Sequence, residues 1–123
     1  AKLYKVFEPY DDYFHLPKAT DKADPNWFAF LLTIKQDAPF TRQEIVSCLE
    51  GAKIQTRSYF SGNIMYHPGY RHMRQDYGDL RESFPNAHLV TINSFFLGTF
   101  AGLTDDKIKY IKAIIDSFLA NYE

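Results

Sequence analysis

The spacing of apolar and polar positions changes several times along the chain, and each change marks an element. Leu3, Val6, Phe7 and then Tyr10 fall at helical spacing, and Pro9 stops the pattern. This predicts the last turns of a truncated connecting helix, with residues 1–13 as its end and a linker. Leu16–Asn26 (LPKATDKADPN) is polar, carries two prolines and reads as a loop. Trp27–Ile34 (WFAFLLTI) is apolar at almost every position and bounded by turn residues, which predicts a strand buried on both faces.

After Pro39, Thr41-Arg42-Gln43-Glu44 forms a capping box, and Ile45, Val46 and Leu49 continue as one apolar stripe. Gly51 is expected to take the left-handed turn that ends this helix. Lys53–Phe60 (KIQTRSYF) alternates as a second strand. Ser61–Phe84, with Gly62, Pro68, Gly69 and Gly78, reads as a long irregular excursion of the kind that binds something or moves. Pro85 opens a short helix through Asn93, and Ser94–Phe100 is a third strand with Gly98 marking a bulge. Thr104 caps the last helix, Asp105 and Asp106 occupy its first turn, and Ile108, Ile111, Ile115, Phe118, Leu119 and Tyr122 form its stripe. The sum over 14–123 is an α+β domain: a small sheet of about three strands with helices packed on it.

Composition narrows the partners. The 123 residues suffice for one core, and 46% hydrophobic with 24% charged residues is ordinary for a globular chain. Aromatics reach 17%, so the rings either fill the core or face a partner. With 14 basic against 15 acidic residues interspersed, no cationic stripe exists for nucleic acid, so none is expected as a partner. No apolar run reaches the ~20 residues that span a bilayer, no signal-peptide layout opens the chain, and a single Cys48 suits a reducing compartment. The expected setting is cytoplasmic, with no membrane partner.

Candidate chemistry is sparse. His67 and His72 share a loop but sit five apart, which matches no zinc pattern, and hydrogen-bonded imidazoles explain them. Cys48 lies beside the buried stripe of its helix and reads as a small core residue rather than a nucleophile. Asp105-Asp106 and Asp11-Asp12 are explained by a helix start and a turn after Pro9. No phosphate-binding glycine loop or serine elbow is present. The chain alone is not expected to be active: no catalytic residue, cofactor-binding residue or metal ligand is expected in it.

The stretch GAKIQTRSYFSGNIMYHPGYR from Gly51 to Arg71 adds a further reading. With LPKATDKADPNWFAFLLTI upstream and SFFLGTFAGLTDDKIKYI downstream, it resembles the C-terminal small domain of the DegT/StrS-type sugar aminotransferase and dehydratase family. The motifs WF-x-F, KI-x-TR, F-x-GN and GLT carry the resemblance jointly, from about Tyr10 onward. The nearest branch is the NDP-hexose 3-dehydratases, fold-type I vitamin-B6 enzymes acting on a 4-keto-6-deoxy sugar nucleotide.

The resemblance implies an upstream large cofactor domain, pyridoxamine or pyridoxal phosphate held there, an iron–sulfur cluster in some members, and a homodimeric parent. It implies that this domain covers the active site and helps bind the nucleotide sugar through Arg57, Tyr59, Phe60, Asn63 and His67. Tyr59-Phe60 stands where ordinary members carry His-Tyr, which fits the dehydratase branch. His67-Pro68-Gly69 departs from the Gln-Pro-Tyr of that branch. Amino transfer to such a sugar, and a free-standing α+β protein-binding module, remain the alternatives.

Overall fold

The computed structural model describes residues 2–122. Helix α1 spans Lys2–Phe7, and a single 3-10 turn at Glu8–Tyr10 follows where Pro9 withdraws its backbone N–H. Strands β1 (Phe14–His15) and β2 (Ala29–Ile34) precede helix α2 (Arg42–Gly51) and strand β3 (Thr56–Ser58). Short helices α3 (Leu80–Ser83) and α4 (Pro85–Asn93) lead into β4 (Ser94–Gly98), and helix α5 (Asp105–Leu119) closes the fold.

The sheet has four strands in the order β1-β2-β4-β3, all antiparallel. The expected number was about three. Two-residue β1 is too short to show a period in sequence, yet Phe14 pairs with Ile34 and is buried. Cross-strand pairs Phe30–Leu97 and Leu32–Phe95 put one face of β2 and β4 into the core. Ile45 and Leu49 of α2 and Ile111, Ile115 and Leu119 of α5 complete that core. Rings knit it together: Phe7 meets Phe14 edge-on at 5.7 Å and stacks near Phe30 at 5.6 Å, and Phe40 meets Phe118 edge-on at 5.2 Å. Each such side chain contributes roughly 1.5–3 kcal/mol by leaving water.

Several local expectations need correction. The first strand begins at Ala29, and Trp27 and Phe28 stand exposed before it. Only its later part is buried on both faces, where the Thr33 and Ser94 hydroxyls meet at 2.7 Å. Gly51 does not take the left-handed turn. Lys53 does, at φ 62°, while Lys53 N–H donates to Glu50 O and Ile54 N–H to Leu49 O. Those two bonds place Lys53 just past the cap, with Ile54 packed against the buried end of α2.

The strand expected over Lys53–Phe60 is therefore reduced to Thr56–Ser58. Ser61–Phe84 is not irregular: 3-10 turns at Ile64–Tyr66 and Pro68–Asp76 and helix α3 fill most of it. The strand after Asn93 ends at Gly98 rather than Phe100. The two capping expectations agree with the structure. Thr41 and Glu44 form the reciprocal box, and Thr104 Oγ1 accepts from Lys107 N–H. A cap of this kind is worth about 1 kcal/mol.

Candidate functional site

The candidate residues lie on and after β3, an edge strand held on one side by β4. On its other side Glu50, from the last turn of α2, accepts from the Thr56 backbone N–H at 2.5 Å and from the Thr56 hydroxyl at 2.8 Å. Those two bonds, the backbone one first, and then the nearby Arg57 charge hold the Glu50 carboxyl below the usual glutamate range. Thr56 is buried, and Arg57, paired with Phe96, is exposed.

Beyond Ser58 the chain turns sharply. Phe60 N–H donates to Ser58 O at 2.8 Å and Gly62 N–H to Tyr59 O at 3.1 Å. Phe60 sits at φ 45° and Gly62 at φ 61°. For a bulky residue the left-handed region costs of order 1–2 kcal/mol. The turn holds the Phe60 ring 69% exposed, stacked 6.3 Å from an equally open Phe28 and tilted 5.8 Å from Phe96. Tyr59 joins at 5.2 Å from Phe60. Arg57, Tyr59 and Phe60 thus lie at one edge of the sheet. Phe28 and Phe96 complete the surface, and the sequence reading had placed both within strands. Their signal was the aromatic run at each strand's end, which periodicity alone could not orient.

Asn63 and His67 sit differently. Asn63 is buried beneath the turn, where Oδ1 accepts from Met65 N–H at 3.0 Å and its own N–H donates to Thr91 Oγ1 at 2.7 Å. Its Nδ2 is enclosed with no partner among the described residues. His67 is exposed, and its Nε2 lies 2.8 Å from Ser61 O. Arg74 anchors the following 3-10 segment by donating from Nε to Met65 O at 2.5 Å and from Nη2 to Tyr66 O. Tyr66 and His88 pair at 2.8 Å across the excursion.

Cys48 is half-buried against the core, and no group of three metal-ligating side chains occurs among the described residues. Nor is any helix among them long and apolar enough to cross a membrane. A pyridoxal phosphate Schiff base needs a lysine held out of water and an acid or arginine at the ring nitrogen. No described lysine is buried, and those lining clefts (Lys2, Lys35, Lys53 and Lys107) are exposed or half-exposed. These residues do not fit the cofactor.

Comparison with known proteins places this geometry. Residues 3–116 match the DegT/DnrJ/EryC1/StrS aminotransferase family. Over 105 residues the chain is 41% identical to a dTDP-4-dehydro-2,6-dideoxy-D-glucose 3-dehydratase of Saccharopolyspora spinosa, covering 85% of this chain and 22% of that relative. The chain therefore spans about a fifth of that relative's length. An E. coli GDP-4-keto-6-deoxy-D-mannose-3-dehydratase with bound hydrated PLP shares the fold at TM-score 0.68 and 23% identity, over 92% of this chain and 28% of that one. The aminotransferase TlmJ from Streptoalloteichus hindustanus shares it at TM-score 0.72 and 14% identity, over 98% and 32%. The α+β fold is that of the PLP-dependent aminotransferase type, and the chain belongs to the DegT/DnrJ/EryC1/StrS aminotransferase family.

Proposed function

We propose that residues 14–123 are the C-terminal small domain of a vitamin-B6-dependent NDP-4-keto-6-deoxyhexose 3-dehydratase, with 1–13 the end of the connecting helix and linker. The observation that carries this is the 41% identity to a 3-dehydratase of which the chain spans only 22%. The remainder of such a parent is an upstream cofactor domain, holding pyridoxamine or pyridoxal phosphate and, where the parent has one, an iron–sulfur cluster. In this reading the parent is a cytoplasmic homodimer, and the small domain covers its active site.

The structure supports a part in binding rather than chemistry. Phe60 and Phe28 offer flat apolar faces of the kind that pack against a sugar ring or a base, and Arg57 stands beside them through Phe96. His67 brings an exposed imidazole to the same turn, and Asn63 has an unspent N–H donor enclosed beneath it, which a substrate reaches only when the turn opens. Excluding water and fixing the sugar's orientation are the roles such groups perform. The described residues offer no cofactor seat, and in this proposal the chain alone is inactive.

Amino transfer is the second reading, favoured by the aminotransferase TlmJ at TM-score 0.72. One experiment separates them. The full-length parent, purified with its cofactor, is incubated with a dTDP-4-keto-6-deoxyhexose and the product is weighed by mass spectrometry. Loss of one water supports the dehydratase, and exchange of the keto oxygen for an amine, given glutamate, overturns it. No turnover of any 4-ketohexose nucleotide by folded, cofactor-loaded parent overturns both.

A further inference from the structure

Where the turn after α2, the end of β4 and the first half of α5 converge, a cleft of about 500 Å³ opens onto the core. Its floor is Ile54, Leu97 and Ile111, all buried residues, so water there finds few polar partners. Two aromatic walls are held in place. Tyr110 OH donates to Ala52 O at 3.0 Å, which ties α5 to the turn after α2. The Phe100 ring, itself 63% exposed, lies so close over Gly102 that a Cβ there would strike it. The volume is within the range of small-ligand sites, and the walls are already formed.

The charge at the rim has one sign. Lys53 and Lys107 line the cleft, and no Asp or Glu does. Tyr110 and Ile111 follow Lys107 by three and four positions, so α5 presents all three on the face that borders the cleft. The Lys107 ammonium donates to Gly102 O at 3.1 Å and stands 5.5 Å from the Phe100 ring centroid, which places it at the mouth with two N–H donors to spare. The Lys53 side chain makes no hydrogen bond among the described residues, whose ion pairs use Lys2, Lys109 and Lys112 instead.

We propose that this cleft binds a small amphipathic carboxylate, with its apolar body over Ile54, Leu97 and Ile111 and its head on the Lys107 ammonium. Lys53 supplies the second positive charge. Burying an apolar body between the two rings gives the affinity, and the unpaired lysines select the sign of the head. The site rests on this cleft alone and holds whichever reaction the parent performs.

The test titrates the 123-residue chain with octanoate, octanol, octylamine and acetate, below any micellar range, and follows the Ile and Leu methyl signals in NMR. Saturable one-to-one octanoate binding that shifts Ile54, Leu97 and Ile111, and is at least fivefold tighter than that of the other three, supports the site. Lys107 is the third residue of α5, where a glutamate completes a capping box with Thr104, so Lys107→Glu keeps the helix start. That variant should lose at least fivefold in octanoate affinity and keep its octanol affinity. Absent octanoate binding, octanol binding as tightly, shifts confined to other parts of the chain, or unchanged octanoate affinity in Lys107→Glu overturns the proposal. Methyl shifts that follow protein concentration rather than octanoate assign the cleft to a second copy of the chain. Octanoate binding by the chain but not by the full-length parent assigns it to the rest of the parent. Either outcome also overturns the proposal.

Discussion

Glu50 and Thr56 fasten the end of α2 to the open edge of the sheet, one carboxylate oxygen accepting both the backbone N–H and the hydroxyl of the threonine. The bond exists only while the carboxylate is charged or its oxygen is free to accept. Because the folded protein lowers the Glu50 pKa, the contribution is complete above the ordinary glutamate value and is lost as pH falls through the lowered one. Wild type is expected to lose denaturant resistance between about pH 5 and pH 3, and Glu50→Gln to lose less over that interval. Glu44, lowered by its bonds from Thr41, titrates in the same direction in both proteins, so the difference between them isolates Glu50. Parallel pH curves for the two would remove Glu50 from the account.

Gly62 is required twice. Its φ is 61°, and a Cβ there would stand 2.7 Å from Thr91 Oγ1, the atom that accepts from Asn63 N–H. Gly62→Ala should destabilise the chain by about 1–3 kcal/mol in urea unfolding. Adding Thr91→Ala relieves the clash but strands the Asn63 N–H, so the double variant should not return to wild-type stability.

Lys53 holds a conformation that glycine occupies without strain. Lys53→Gly should raise stability by about 0.5–1 kcal/mol, read as a higher Tm. The side chain is exposed and makes no hydrogen bond among the described residues, so nothing else is lost. A lower Tm would show that unfolded-state entropy outweighs the relief.

Asn63 separates scaffold from site. Asn63→Ser keeps an oxygen to cap the 3-10 turn and withdraws Nδ2. If that N–H meets the substrate in the parent, kcat/KM should fall by about 1–3 kcal/mol with little change in Tm. Unchanged turnover per folded molecule with lowered stability would leave the turn as scaffolding alone.

Phe28 and Phe60 form an exposed stacked pair beside Phe96, an apolar patch that a partner surface would cover. The isolated chain should self-associate at high concentration in sedimentation. Phe28→Ser with Phe60→Ser should shift it to monomer at a stability cost of no more than about 1.5 kcal/mol. A clean wild-type monomer would count against this.

Local chemistry made much of this fold legible. Thr41-Arg42-Gln43-Glu44 and Thr104-Asp105-Asp106 fixed two helix starts, since a cap is satisfied within one turn of chain. The stripe from Ile108 to Leu119 set the face of α5, because a helix repeats every 3.6 residues regardless of its neighbours. The resemblance of Thr56-Arg57 and Phe60-Ser61-Gly62-Asn63 placed the candidate site on β3 and its turn.

What depended on distant partners was not legible. Strand β1 has two residues and exists because Phe14 meets Ile34. Lys53 rather than Gly51 takes the left-handed turn after α2, where Ile54 N–H bonds back to Leu49 O and Ile54 enters the core. Phe28 and Phe60 look in sequence like the core ring Phe30, and only the twist and end of the sheet turn them outward to stack on each other. Sequence by itself determined which segments coil and which extend, since those choices are made over a few bonds. The tertiary structure alone decided that Ile54, Leu97, Phe100 and Lys107 line one cleft, since the turn after α2, the end of β4 and α5 meet there only once the chain has folded back on itself.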